Sequence, residues 1–265
     1  MHSVTESGTM RLEEIWRHPV KSLQGEKLTE AMLDSTGLRG DRCWGIRDET
    51  TGKILTGRRE PRLLLAAASL AGDGEPAVTL PTGDVCRGLG PGTNAALSDW
   101  LQRPVTLVGA QGAPGGKAEF FADATDDTSA AIEWTMPAGR FVDASPLLVL
   151  TTSSLRMAAA LHPEGEWDPR RFRPNLLIDT DAEGWIEDGW CGQTVRIGPV
   201  AVGPRQPCVR CTMVTRPQPE LSRDLDIYKT LARHHDGTFG VWSKVVAEGR
   251  VRVGDPVTLA VTPAD

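Results

Sequence analysis

Two cysteines stand three positions apart in Pro207-Cys208-Val209-Arg210-Cys211-Thr212, with an arginine between them. A thiolate beside a guanidinium is either a nucleophile or a ligand for a soft metal ion, because the positive neighbour favours the charged form of the sulfur. Cys-x-x-Cys can be half of a zinc site, but no second Cys-x-x-Cys or His-x-x-x-His follows it. It can be a thioredoxin-like redox pair, but that motif opens a helix, and Val209 to Val214 read as extended. It can be one functional thiolate with a structural neighbour, or simply two thiols buried in a strand. The pair alone leaves the last two open.

Other segments add anion-binding groups at the ends of expected strands. Arg171-Phe172-Arg173-Pro174-Asn175 crowds two arginines and an asparagine at a strand's mouth, a pattern suited to phosphate. His18-Pro19-Val20-Lys21-Ser22 follows the first strand. Thr56-Gly57-Arg58-Arg59-Glu60-Pro61-Arg62-Leu63 is a cationic corner, and Asp143-Ala144-Ser145-Pro146 sets a carboxylate and a hydroxyl before an apolar run. Each reads on its own as a polar turn. A phosphorylated cofactor carrying a soft metal uses all of them together. His234-His235 reads as a helix-end pair near the negative end of the dipole and not as a metal site.

These residues need a scaffold, and the sequence predicts a β-rich one. Strands are expected over Arg11–His18, Glu26–Asp34, Arg42–Arg47, Lys53–Thr56, Leu63–Leu70, Ala77–Leu80, Val85–Arg87 and Pro104–Val108. The turn Asp48-Glu49-Thr50-Thr51-Gly52 would join two of them as a hairpin. Thr93–Leu101 reads as a helix capped by Thr93 or Asn94. Ala110–Pro137 reads as a long loop. A second block begins near Asp143. It has a buried strand Leu147–Leu150, a helix capped by Thr152 or Ser153, and strands at Asn175–Ile178, Thr194–Ile197, Ala201–Val202 and Val209–Val214. A helix is expected over Leu221–His234, then strands Val241–Val246 and Val257–Val261. The loop 110–137 and the helix 221–234 are candidate pocket walls.

The chain has 265 residues, a net charge of −6 and five cysteines. That balance, without a Lys/Arg tract, argues against nucleic-acid binding. No apolar run reaches membrane-spanning length, and Met1 to Met10 lack the apolar core of a signal peptide, so a cytoplasmic protein without a membrane partner is expected. An odd number of scattered cysteines is no disulfide framework, and Cys43, Cys86 and Cys191 are expected to be buried structural thiols.

The motifs at His18–Ser22, Gly37–Arg42, Arg58–Leu63, Asp143–Pro146, Phe172–Asn175, Arg210-Cys211 and Gly254–Val257 resemble, in this order, the MOSC family (molybdenum cofactor sulfurase C-terminal) preceded by its N-terminal β-barrel domain. Within it the chain looks most like the amidoxime-reducing branch and its bacterial relatives. The resemblance implies a mixed α/β, β-rich fold, with the N-terminal β-barrel-like domain over 1–110 and a MOSC β-barrel with flanking helices over 111–265. It implies that Cys211 is a thiolate ligand to molybdenum beside the dithiolene of one pterin cofactor, with Cys208 a neighbour. Lys21, Ser22 and Arg58 would hold the pterin and its phosphate, Ser145, Arg173 and Asn175 would form a second cluster, Arg210 a third, and Asp143 would be an active-site carboxylate. Ala144 stands where relatives carry threonine, Val209 replaces serine, and Trp242 lies near the place of a tyrosine.

The implied reaction is two-electron reduction of a small N-hydroxylated or N-oxide substrate. No membrane-anchoring segment of the kind the mitochondrial members carry, and no appended ferredoxin domain, is expected. Electrons are therefore expected from a separate donor protein, such as a flavin reductase, a ferredoxin or a cytochrome b5-like protein. Two alternatives stand beside this: a sulfur or cofactor carrier with Cys211 as a persulfide, and an enzyme dedicated to one biosynthetic intermediate.

Overall fold

The computed structural model describes residues 10–110, 116–123, 126 and 128–260. The expectation for the first residues therefore lies mostly outside the described part. Seven strands close a barrel in the order Leu176–Asp179, Leu147–Thr151, Thr238–Ala247, Val200–Val209, Val195–Ile197, Pro256–Leu259 and Met10–Arg17, with the last pairing back onto the first. The first strand of the chain is thus a stave among strands from its second half. An eighth strand, Glu26–Leu28, pairs beside Met10–Arg17.

Leu147–Thr151 is buried at every position. Leu147 and Val149 face the barrel core with Leu12, Ile15, Leu176 and Val241. Leu150 faces outward into a second cluster with Ala158, Phe172 and Phe239. A strand covered on both faces reads as a continuous apolar run. It pairs in parallel with Leu176–Asp179, and the crossover between them carries the helix Thr152–Leu161. The cap of that helix is Thr151, whose side chain accepts from Ser154 N. The expected Thr152 or Ser153 is corrected by one residue because the side chains of Thr151 and Ser154 both reach the buried Glu187 carboxylate, at 2.7 Å each.

Packed beside the barrel is a second apolar body, with Val20, Leu23, Ile46, Leu63, Val78, Leu97 and Leu107 at its core. It contains the meander Ala67–Leu70, Pro76–Thr79, Val85–Arg87 and the pair Trp44–Asp48 with Val105–Gly109. Its helix spans Pro91–Leu101 without a side-chain cap. Asn94 instead accepts from Leu107 N, and Thr93 donates to Arg87 O.

Other expectations are corrected as well. Lys53–Thr56 is no strand; only Ile54 bridges, to Arg47 and Ala118. Leu63–Leu70 divides into a 3-10 turn, Pro61–Leu65, and the strand Ala67–Leu70. The stretch expected as a long loop contains the hairpin Lys117–Phe121 with Ala131–Thr135. The helix expected over 221–234 spans only Asp226–His234. Cys43, Cys86 and Cys191 are half-buried. Among the described residues no helix is long and apolar enough to cross a membrane.

Candidate active site

The strand Val200–Val209 and the first strand each release the chain at the same end of the barrel. After Arg17 come Lys21 and Ser22; after Val209 come Arg210 and Cys211. Together with Arg58, Asp143, Ser145, Arg173 and Asn175, all nine residues singled out from the sequence line one cleft of about 190 Å³.

Arg173 is set by local backbone geometry. Asp168 caps the short helix Pro169–Phe172, and Arg173 closes it in the left-handed region (φ 57°). This turns a buried guanidinium into the cleft wall. Nη1 donates to Leu23 O at 2.6 Å, while the buried Nη2 finds no partner among the described residues. Burial first, then the charge of Arg42, pull its pKa down to about 9, against the opposing pull of Asp41 and Asp143. Behind it, His18 is buried and neutral, its pKa held well below the usual value by burial and by Arg173 and Arg42.

Arg210 bridges both halves of the thiol motif. Nη1 donates to Cys208 Sγ at 2.9 Å and Nη2 to Phe172 O at 2.7 Å, and Nε is buried without a partner. Cys211 itself does not lie in a strand. The strand stops at Val209, and Cys211 precedes the 3-10 turn Thr212–Thr215. The expectation that Arg210 yields a ready thiolate is also corrected. Burial pushes both thiols up; for Cys211 the Met213 N–H, Arg210 and Arg58 pull the other way without offsetting it. The sulfur at rest is a thiol whose proton must leave when a metal binds.

Asp143 sits on the rim, its side chain 60% exposed, paired with the buried Lys21 Nζ. Lys21 also donates to Phe141 O at 3.1 Å. Desolvation raises the Asp143 pKa, but Lys21, Arg42 and Arg173 outweigh it and hold the carboxyl below its ordinary value. Ser22 has φ 68° and its Oγ accepts from Gly57 N at 2.8 Å. Arg58 lies over the Phe121 ring at 4.8 Å and donates to the Phe121 and Asp123 carbonyls, so its guanidinium faces the hairpin.

Ser145 and Asn175 also spend their polar groups on the scaffold. Ser145 Oγ donates to Ser243 O at 2.7 Å. Asn175, wholly buried, donates to Trp16 O at 3.2 Å and accepts from Leu148 N at 3.1 Å, joining neighbouring staves. Sequence reasoning missed Arg42 as a site residue. It lines the cleft at φ 50°, ion-pairs with Asp41 and donates to Arg173 O at 3.3 Å; the signal was Gly40-Asp41-Arg42. Phe120, Met213 and Trp242 complete an apolar side. His235 lies outside, bonded to Asp188 at 2.6 Å and stacked on Trp185.

A buried guanidinium nitrogen without a partner among the described residues, next to further cations and a thiol, is chemically suited to a phosphorylated ligand that carries a soft metal. Comparison with known proteins gives the family. Residues 9–96 match the family model of the MOSC N-terminal beta barrel domain, and residues 137–258 that of the MOSC domain. Mitochondrial amidoxime-reducing component 1 of Mus musculus is 28% identical, over 93% of this chain and 81% of its own. Molybdenum cofactor sulfurase of Drosophila grimshawi is 26% identical over 91% of this chain, which covers 34% of that protein. The crystal structure of the YUAD protein from Bacillus subtilis, 12% identical, superposes over 95% of both chains with a TM-score of 0.47. With both domains matched in their expected order around a closed barrel, the chain belongs to the MOSC family and carries the family's N-terminal β-barrel domain ahead of its MOSC domain.

Proposed function

We propose that the cleft holds a molybdenum cofactor with Cys211 as thiolate ligand, and that the protein reduces N-hydroxylated or N-oxide compounds with electrons from a separate donor protein. The observation that carries this is Arg173: a buried guanidinium whose Nη2 has no partner among the described residues, in the wall that also presents the Cys211 thiol. Among the described residues no three His, Cys, Asp or Glu side chains come together as a metal site. A metal at Cys211 therefore suits a cofactor that brings its own sulfur ligands.

When bound, the cofactor supplies a two-electron centre that accepts the substrate's oxygen. Arg173, Arg210 and Arg42 neutralise its anionic part, each as a planar donor. Cys211 gives up its proton on binding, and Arg210 and Arg58 then favour the thiolate. Asp143, ionised on the rim, accepts a hydrogen bond from the substrate's N–H and turns the N–O group inward, while Lys21 Nζ stays paired with it. Phe120, Met213 and Trp242 exclude water from the apolar side.

The likeness to molybdenum cofactor sulfurases over 91% of the chain supports a second reading, a sulfur or cofactor carrier. Metal and pterin analysis of protein made in a host able to synthesise the cofactor separates the two. Stoichiometric molybdenum with pterin, lost at least about tenfold in Cys211→Ala together with reductase activity, is the expected result. Labile sulfur on Cys211 with neither molybdenum nor pterin would replace the enzyme by the carrier.

A further inference from the structure

Three consecutive residues around the end of the helix Pro169–Phe172 face three directions. Arg173 enters the cleft. Phe172 lines it and lends its carbonyl to Arg210 Nη2. Arg171 turns away, has no exposed surface at all, and is the largest fully buried side chain among the described residues. No buried carboxylate accompanies it. Its acidic neighbour Glu166 is 3.3 Å away and 45% exposed.

The guanidinium instead ends on backbone carbonyls. Nε donates to Glu166 O at 2.8 Å and Nη2 to Ser222 O at 2.8 Å, while Nη1 is shared between Val214 O at 3.4 Å and Arg216 O at 3.3 Å. Three of these four carbonyls belong to the chain that leaves Cys211: the 3-10 turn Thr212–Thr215 and the loop that follows it. Burying a guanidinium is costly unless its donors are bonded. A planar fork is nevertheless the one side chain that can hold several carbonyls in a fixed relation.

We propose that Arg171 is a positioning residue: it ties the turn that follows Cys211 to the segment that carries Arg173, and so sets where the Cys211 sulfur stands against the cations of the cleft. Arg170 Nη1 reaches the same loop from the exposed side, at Pro219 O, 3.3 Å. Arg210 links them through Phe172 O on the cleft side, and Arg171 links them from behind. Its consequence for catalysis rests on the proposed reading of Cys211; the geometric claim does not.

The test uses cofactor-free full-length protein, with iodoacetamide at neutral pH and the site read by peptide mass. A loss of stability alone leaves Cys211 in the folded molecule as slow to alkylate as before. A loosened turn exposes it. Arg171→Met is expected to alkylate at Cys211 about tenfold faster than wild type under conditions where both are fully folded. Arg171→Lys, which keeps a cation and part of the bonding, falls between them. Unchanged rates in folded variants overturn the proposal.

If neither variant is soluble, Glu166→Gln decides. Glu166 is half-exposed and its Oε2 accepts from Ser222 N and Oγ, so the change loosens the same loop from outside. It is expected to raise the rate about threefold, and an unchanged rate overturns the proposal. Molybdenum retention in cofactor-loaded protein is a separate measurement. If it proves independent of Cys211 while the alkylation rates shift as expected, the positioning claim stands and the cofactor reading fails.

Discussion

Arg173→Met is predicted to make the cofactor-free protein more stable while removing its capacity to hold an anion. The drop of the Arg173 pKa from the ordinary guanidinium value to about 9 corresponds to roughly 5 kcal/mol of penalty on the charged form, at about 1.4 kcal/mol per pH unit. Because the folded-state value lies below the unfolded one, the penalty is fully present below about pH 9. It is relieved only as the pH climbs from there toward the ordinary value. Methionine removes it and fills the space of the stem, but it also removes the bond from Nη1 to Leu23 O, which contributes about 1.5–3 kcal/mol as a charge-assisted bond. The difference leaves a net gain of about 2–3.5 kcal/mol, or a Tm rise of roughly 4–14 °C in a chain of this size. Urea and thermal unfolding of both proteins at neutral pH measure it. Pyrophosphate is expected to raise the Tm of wild type and to leave the variant unmoved. A variant less stable than wild type would refute the reasoning, because it would mean that the cations are already satisfied by the protein.

Asn175→Ala removes bonds to Trp16 O and Leu148 N between neighbouring staves and leaves a buried N–H unpaired, so unfolding in urea should show a loss of about 2–4 kcal/mol; a loss below about 1 kcal/mol would show that water replaces the amide. Glu187 is 1% exposed, and burial raises its pKa above 4.5, so its charge penalises the fold at neutral pH and the penalty fades as the pH falls through the raised value. Glu187→Gln should therefore raise the Tm at neutral pH, with the gain vanishing near pH 4, and thermal melts at both values would expose an error in sign.

What could be read from the sequence follows physical reach. The cleft residues were legible because anion-binding side chains at strand ends have few other uses in such number, and Leu147–Leu150 was legible because a doubly covered strand is apolar without interruption. The protonated state of Cys211 was not: Arg210 is adjacent in sequence, whereas the burial that outweighs it is built by distant segments. The hairpin Lys117–Thr135 was missed because its strands carry no clean alternation. They are held by a bridge from Ile54 to Ala118 and by ion pairs such as Lys117–Glu133 at 2.7 Å. The cap at Thr151 was hidden among four consecutive hydroxyl residues, and the choice between them is made by Glu187, more than thirty residues away.

The barrel's closure explains why the cations tolerate one another. Met10–Arg17 is held between Leu176–Asp179 and Pro256–Leu259, and its exit delivers Lys21 and Ser22 to the cleft. The strand Val200–Val209 delivers Arg210 from another stave of the same barrel. Neither side can retreat without giving up ladder bonds and an apolar interior that includes Leu12, Ile15 and Val202, each worth about 1.5–3 kcal/mol when fully buried. Arg173, Arg42 and Arg210 are thus pressed together by a scaffold whose burial outweighs their repulsion. The electrostatic strain is concentrated where an anionic ligand would relieve it, so that ligand binding and the stability of the barrel's open end are two measurements of one interaction.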